Sequence, residues 1–350
     1  MTDYRAILRT YWGYPDFRGV QQEIIESIGA GKDTLGLMPT GGGKSITFQV
    51  PALAMDGVCL VITPLISLMK DQVDHLRHRG IQAAAIHSGM RRAEIVQTME
   101  NAIFGGVKLL YISPERLASD LFRVKLRHMK VSFITVDEAH CISQWGYDFR
   151  PSYLQIAQIR QLLPNTPILA LTATATPEVV EDIQRQLHFR ASNVFRMSFA
   201  RANLSYIVRR TLDKESEIIH ILRNTSGPAI VYMRSREATR TLAKTLLQHN
   251  ISATWYHAGL EPTVKEERQN LWQADKVRVM VATNAFGMGI DKPDVSLVIH
   301  PDAPSSIEEY FQEAGRAGRD GNKAYAVLLY DKEDAKKLMN RVTTTFPEKE

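Results

Sequence analysis

Short runs of β-branched and aliphatic residues punctuate this chain at near-regular intervals, and the segments between them carry apolar residues at helical spacing. In the first half the runs fall at 34–37, 58–63, 107–112, 131–136 and 167–171; in the second they fall at 228–232, 253–256, 277–282, 295–299 and 325–329. Most are apolar throughout rather than alternating, as strands covered on both faces should be. Separated by helical stretches, they predict parallel sheets with crossover helices, an α/β fold. Ahead of the first run, residues 4–31 read as helix broken at Gly13-Tyr14-Pro15-Asp16, with the second segment over 21–28.

The two halves also share a short repeat. Ala84-Ala85-Ile86-His87-Ser88-Gly89-Met90 parallels Thr254-Trp255-Tyr256-His257-Ala258-Gly259-Leu260, and each copy is followed by a charged helical segment and then a strand. A chain of 350 residues is long for one core and suits two domains of ordinary size. The boundary is expected near Phe199-Ala200-Arg201-Ala202-Asn203, giving domains 1–200 and 201–350; one large α/β domain is the alternative.

Composition narrows the class. With 44% hydrophobic and 23% charged residues the chain is globular rather than disordered. A net charge of +5 and a pI near 9.1 fit a polyanionic partner, and equally a solvated lysine-rich face. The two cysteines, Cys59 and Cys141, lie too far apart for a C-x-x-C pair, so a reducing compartment and no zinc site are expected. No stretch approaches the length needed to span a bilayer, which leaves a cytoplasmic protein without membrane contact as the expectation.

The chemistry begins at Met38-Pro39-Thr40-Gly41-Gly42-Gly43-Lys44-Ser45, set between a strand-like run and a helix start. Glycines let backbone N–H groups approach an anion, the helix start adds partial positive charge, and Lys44 adds a full one. Ser45 would ligate Mg²⁺. The strict phosphate-loop pattern asks for glycine at Met38, and the alternative is a flexible glycine turn with an incidental lysine. Asp137 and Glu138 end another run, where open parallel sheets place ligands: Asp137 would hold Mg²⁺ opposite Ser45, and Glu138 would orient or deprotonate an attacking water. His140 has no partner at metal-ligand spacing, which favours coupling or packing.

Arg316 and Arg319 lie three apart, a spacing that puts them on one helical face. They either neutralise charge on a transferring phosphoryl or cap and solvate a helix end before Gly321. Lysine loop, carboxylates and arginines together imply a nucleotide site split between two domains, whose closing and opening would drive motion. Thr63-Pro64-Leu65-Ile66-Ser67-Leu68-Met69-Lys70, Ser113-Pro114-Glu115-Arg116 and the 283–291 segment each follow a strand, and their hydroxyls, N–H groups and cations suit backbone phosphates. Residues 141–153 crowd Trp145, Tyr147, Phe149, Arg150 and Tyr153 into one irregular segment broken by Gly146 and Pro151. Stacking on unpaired bases suits Trp145 and Phe149, with Arg150 on phosphate or base. Thr172-Ala173-Thr174-Ala175 is placed to link the two sites through hydroxyl hydrogen bonds.

At these residues the sequence resembles the RecQ family of DNA helicases, within helicase superfamily 2. The resemblance is carried by Gly13-Tyr14-Pro15-Asp16-Phe17-Arg18-Gly19-Val20-Gln21, the Pro39 to Ser45 loop, Asp137-Glu138-Ala139-His140, the aromatic segment behind it, and Gln312 to Gly321. It runs from about residue 4 to about residue 334, and the aromatic segment is its specific part. In this superfamily the first glycine of the phosphate loop is often replaced, which accommodates Met38.

The resemblance implies two tandem RecA-like domains with the ATP site in the cleft between them. ATP and Mg²⁺ are the implied cofactors, with Tyr14 and Arg18 sandwiching adenine, Gln21 reading its edge and Asp291 near the ribose. Arg319 is the implied arginine finger, with Arg316 also at the phosphates. DNA contacts are implied for Ser67, Lys70, Trp145, Phe149, Arg150 and His257, and movement on single-stranded DNA from 3′ to 5′. The expected setting is recombination and repair in a bacterial cytoplasm, associated with the nucleoid. Expected partners are single-stranded DNA and single-strand/duplex junctions, with single-strand-binding or repair proteins, for a monomeric enzyme. An RNA helicase or remodelling ATPase of the same superfamily is the nearest alternative, and a nucleic-acid-binding protein with a silent nucleotide site the next. Relatives generally continue into a four-cysteine zinc module and a winged-helix domain, which cannot fit before Glu350, so weak duplex binding and poor unwinding are expected of these residues alone.

Overall fold

The computed structural model describes residues 2–146, 148–286 and 292–345, without the side chains of Ser67, Lys337 and residues 341–345. The chain forms two compact units, Met1–Phe199 and Ala200–Glu350. The first holds strands β1 (Thr34–Leu37), β2 (Val58–Ile62), β3 (Ala83–Ile86), β4 (Leu109–Ile112), β5 (Val131–Val136), β6 (Ile168–Thr172) and β7 (Val194–Arg196) in the order β3-β4-β2-β5-β6-β1-β7. The second holds β8 (Leu204–Arg210), β9 (Ala229–Tyr232), β10 (Ala253–Tyr256), β11 (Val279–Ala282), β12 (Leu297–His300) and β13 (Ala324–Tyr330) in the order β10-β11-β9-β12-β13-β8. Every pairing among the described strands is parallel. Adding seven to each strand number of the first order, β7 aside, gives the second order. The short repeat is therefore the visible tip of a six-strand correspondence, with its two copies on the edge strands β3 and β10.

Alternate side chains on each strand enter opposite cores, which is why the runs are continuously apolar. Leu60, Ile62, Leu110, Ile112, Ile134 and Val136 face one side of the first sheet, while Cys59, Val61, Leu109, Tyr111 and Phe133 face the other. The second sheet is likewise covered on both faces. Three strands escaped the sequence reading, for different reasons. The alanine-rich β3 lacks β-branched residues, β7 has three residues, and the outer positions of the edge strand β8 are exposed and charged. Among the described residues, no helix is long and apolar enough to cross a membrane.

Sheet order sorts the loops at the C-terminal ends of the strands. The loops after β3, β4 and β2 are neighbours on one side, and those after β5, β6 and β1 are neighbours on the other. The first group carries the 63–70 and 113–116 segments, expected to meet polymer phosphates, and the second carries the carboxylates with the aromatic segment behind them, the Thr172 segment and the phosphate loop.

The opposite end of the sheet is tied by one buried carboxylate. Arg160 donates to both oxygens of Asp33, at 3.0 and 2.6 Å, and the backbone N–H of Ile168, the backbone N–H of Arg190 and Arg190 Nε each add a bond at 3.0 Å. This one group joins the starts of β1 and β6 to the segment entering β7. Burial alone would raise the Asp33 pKa, but the bonds from Arg160, Arg190 and Ile168 overrule it and hold it at about 2, below the ordinary 3.8. A depressed carboxylate stabilises the fold above its unfolded pKa and loses that contribution as pH falls towards the folded value, here between about pH 4 and pH 2. Asp33→Ala is expected to cost about 3–5 kcal/mol at neutral pH because it leaves Arg160 buried without its partner. Asp33→Asn should flatten the acid limb of the stability curve in that window; urea titrations across pH measure both.

Candidate active site

The phosphate loop leaves β1 at Met38, whose N–H donates to the Thr172 carbonyl at 3.0 Å and whose side chain is fully buried in the core. Position 38 thus serves packing, which explains why it need not be glycine. Gly41 and Gly43 take left-handed φ values of 80° and 75°, a conformation costly for side-chain-bearing residues. A Cβ on Gly42 would lie 2.9 Å from the Pro39 carbonyl oxygen, and one on Gly43 would lie 2.3 Å from Gln21 Nε2. Thr40 and Lys44 are partly exposed, and Ser45 opens the helix Ile46–Ala54.

Gln21 closes the back of this loop. Its amide donates to the carbonyls of Gly42 and Gly43, at 3.2 and 3.1 Å, and its oxygen accepts the Arg18 N–H at 2.8 Å. Reading an adenine edge would require an exchange of these partners. Tyr14 is exposed, and the Arg18 guanidinium carbon lies 5.6 Å from its ring centroid. A base stacked between two planes needs about 7 Å, so admitting one between them requires that they part.

Across β6 from the loop, β5 ends at Asp137, whose N–H donates to the Ile62 carbonyl at 2.9 Å. Glu138 takes a left-handed φ of 48°, held by its N–H to Asp137 Oδ1 at 3.0 Å. That bend turns the second carboxylate towards the loop, leaving Glu138 Oε1 3.7 Å from Lys44 Nζ. Its other oxygen lies 3.4 Å from His140 Nδ1, which is 2.9 Å from Thr172 Oγ1. Burial depresses the His140 pKa, keeping the ring neutral at pH 7. Burial and then the Glu138 charge push the Asp137 carboxyl above its ordinary range, with Lys44 opposing. Two crowded carboxylates facing one lysine are a donor set suited to a divalent cation beside Ser45.

The same turn roots the aromatic segment. Ala139–Ile142 form a 3₁₀ turn, Arg150 N–H donates to the Cys141 carbonyl at 2.8 Å, and Ser143 Oγ donates to the buried Asp182 carboxylate at 2.6 Å. The Trp145 N–H reaches Ser143 Oγ at 3.2 Å, and the Trp145 side chain is 76% exposed. Phe149 is half-buried, Tyr153 lies wholly in the core with its hydroxyl on the Asp137 carbonyl, and Tyr147 is outside the described residues. Arg150 is engaged with Asp148 Oδ2 at 2.9 and 3.2 Å.

Sequence spacing gave His140 no metal partner, but the fold brings its ring, Cys141 and Asp148 together, with donor atoms within 4.8 Å of one another. Two features oppose a metal there. Burial raises the Cys141 thiol pKa, and Arg150 already neutralises Asp148.

On the polymer side, Lys70 is exposed on the helix Ile66–His78. Thr63 and Ser113 are buried, which takes their hydroxyls out of the phosphate-binding role suggested by position alone. The Ser67 side chain lies outside the described ones. Arg116 donates to the His87 carbonyl at 3.2 Å, and the His87 pKa is lowered by burial and then by Lys70 and Arg116. His87 therefore feels the charge of two cations. Sequence reasoning noticed it only through the repeat. Its counterpart, His257, is similarly placed after β10, its pKa lowered by burial, Arg236, Arg268 and Lys265.

The arginine segment departs from the helical expectation. The helix Ile307–Ala314 ends before Arg316, and residues 315–320 form turns in which Gly318 takes φ +64° and donates its N–H to the Val295 carbonyl at 2.7 Å. Closely spaced glycines stop the ladder, so the two arginines do not share a helical face. Arg316 is 9% exposed and hydrogen-bonds the buried Tyr232 hydroxyl, whereas Arg319 is partly exposed. Burial removes Arg316 from the role of a solvated helix cap. Asp291 lies outside the described residues.

Comparison with known proteins follows the same division. The family model "DEAD/DEAH box helicase" matches residues 18–183, and "Helicase conserved C-terminal domain" matches residues 213–321. The ATP-dependent DNA helicase RecQ of Pasteurella multocida (strain Pm70) is 45% identical over 329 residues, covering 94% of this chain and 52% of the relative. The probable ATP-dependent DNA helicase RecS of Bacillus subtilis (strain 168) is 41% identical over 334 residues, covering 94% of this chain and 67% of the relative. The chain thus spans about half the length of the curated RecQ relative. Among solved structures, the Mycobacterium smegmatis helicase Lhr bound to ssDNA and AMP-PNP matches with a TM-score of 0.75 at 21% identity, over 97% of this chain and 50% of that one. At that identity the likeness is one of fold, with two RecA-like α/β units. Loop, carboxylates, aromatic segment and arginine turn, together with more than 40% identity along nearly the whole chain, make this a member of the RecQ family of helicases.

Proposed function

We propose that this chain is the ATP-hydrolysing core of a DNA translocase of RecQ type, moving 3′ to 5′ on single strands that stimulate its turnover. The observation that carries the reading is the contact line from Lys44 through Glu138 and His140 to Thr172, with the Trp145 segment rooted directly behind His140. A change at the aromatic segment then reaches the carboxylate that aligns the attacking water.

In this reading Thr40, Gly41, Gly42, Gly43 and Lys44 cradle the phosphates of ATP, while Tyr14, Arg18 and Gln21 take the adenine and Asp291 lies near the ribose. Ser45 and Asp137 would hold Mg²⁺, a fit supported by the crowding that raises the Asp137 pKa. Bound Mg²⁺ neutralises charge on the phosphate oxygens. Glu138 takes the proton from water, and Arg319, with Arg316 beside it in the same turn, is assigned to the charge on the transferring phosphoryl. Ser67, Lys70, Trp145, Phe149, Arg150 and His257 contact the DNA; Arg150 does so by exchanging its Asp148 partner for phosphate. The proposed setting is recombination and repair in a bacterial cytoplasm, as a monomer on single strands and junctions.

The test is steady-state ATP turnover with oligothymidylate, with an RNA oligomer and with neither, for the parent and for Trp145→Ala. The parent should be stimulated by DNA. Loss of one stacking platform should weaken DNA binding by ~1–3 kcal/mol and lower the stimulated rate at limiting DNA. Equal turnover in all three conditions sinks the coupling, and stimulation by RNA alone favours an RNA translocase.

A further inference from the structure

The turn that bears Arg316 and Arg319 has no helical ladder to fix it, and its carbonyls are held from elsewhere in the second unit. Arg201 Nη1 donates to the Gly315 carbonyl at 3.0 Å, and its Nη2 donates to that of Gly318. Asn203 Nδ2 donates to the Gly318 and Asn322 carbonyls, at 2.7 and 2.8 Å, while the Asn203 carbonyl accepts the Ala324 N–H at 2.8 Å. Two side chains thus bracket the segment from 315 to 322. A Cβ on Gly318 would lie 2.6 Å from Asn203 Nδ2, so the fit between donor and turn is close on both sides.

We infer that Arg201 and Asn203 are positioning residues for the arginine turn, setting where Arg316 and Arg319 project without touching the nucleotide themselves. The inference rests on the reading that Arg319 acts on the transferring phosphoryl. A planar guanidinium can bridge two carbonyls that lie three residues apart, whereas a lysine ammonium offers a single point of attachment. Asn203 supplies two donors from one rigid amide. The corresponding aspartate would keep the shape and set a carboxylate against two carbonyl oxygens. Displacing a reacting group by about 1 Å costs on the order of 10²-fold in rate, so loosening this clamp should act on turnover before it acts on ATP binding.

The experiment compares Asn203→Asp, Arg201→Gln and Arg201→Lys with Arg319→Ala and with the double variant Asn203→Asp/Arg319→Ala, in oligothymidylate-stimulated ATP hydrolysis. Expected for Asn203→Asp and Arg201→Gln is a fall in kcat of ~10- to 10²-fold with the KM for ATP nearly unchanged, and partial recovery in Arg201→Lys. The double variant should be no slower than Arg319→Ala, because the clamp works through that arginine. Thermal melting checks that each variant is folded; if Asn203→Asp is not, the Arg201 pair decides, by the same kcat-against-KM split and the recovery in lysine. Parent-like turnover in the clamp variants beside an inactive Arg319→Ala overturns the positioning role alone. So does a further loss in the double variant, which would mark a general structural effect. Parent-like turnover in Arg319→Ala overturns the arginine reading itself, and the inference with it.

Discussion

Arg319→Ala is expected to lower DNA-stimulated ATP turnover by ~10³-fold or more while the affinity for a non-hydrolysable ATP analogue changes little. A guanidinium that meets charge developing on the phosphoryl in flight acts on the transition state more than on the bound nucleotide, so the loss falls in kcat. Arg319 is the cleaner of the two arginines to test. Arg316 is buried and bonded to Tyr232, and removing it would leave that hydroxyl and its neighbours to rearrange. Arg319 is partly exposed, and its loss should spare the fold. Single-turnover hydrolysis with analogue binding on the same preparation separates the two effects. A rate within about tenfold of the parent would show that charge neutralisation comes from elsewhere.

Glu138→Gln should be as damaging by a different route. A positioned general base contributes ~10²- to 10⁴-fold, and the amide keeps the shape of the side chain while losing its basicity. Glu138 is one of two causes that raise the Asp137 pKa, and neutralising it relaxes that carboxyl towards its ionised form. The Mg²⁺ ligand should then be at least as available as before, and ATP should still bind. The 3.7 Å Lys44 contact gives a further sign: with the Glu138 charge gone, the ammonium is shared between Asp137 and the phosphates. The expected outcome is an enzyme that holds ATP and DNA together and turns over slowly. Weakened nucleotide binding with an unchanged catalytic step would reverse the assignment.

The α/β class was legible because strands buried on both faces must be apolar throughout, and the runs at 58–63 and 131–136 contain β2 and β5. β8 was not legible, since an edge strand with exposed Tyr206, Val208 and Arg209 does not show that signature. The repeat around His87 and His257 was visible, yet its extent was hidden because topology, rather than residue identity, is what the halves share. Residues adjacent in sequence need no fold to bring them together: Lys44 follows its glycines and Glu138 follows Asp137, so the spacing alone suggested a shared chemistry. Contacts from far along the chain were invisible, as with Gln21 on the Gly42 and Gly43 carbonyls and Asp182 on Ser143. The arginine spacing misled because three residues apart means a shared face only while the helix lasts, and the helix stops at Ala314.

The sorting of loops along the first sheet has a mechanical corollary. The loops after β3, β4 and β2 and those after β5, β6 and β1 meet along one seam, where β2 lies beside β5. There the Asp137 N–H hangs from the Ile62 carbonyl, and the next residue, Thr63, bonds to the Ile112 carbonyl on β4. Asp137 and the segment leading to Lys70 are therefore joined through the backbone where β5 and β2 end. A sideways pull on the helix Ile66–His78 is applied to the lever arm of that anchorage, and its shortest path runs into the backbone beneath Asp137. On the proposed reading, strand order sets the cation ligand and Lys70 on opposite arms of one rocker.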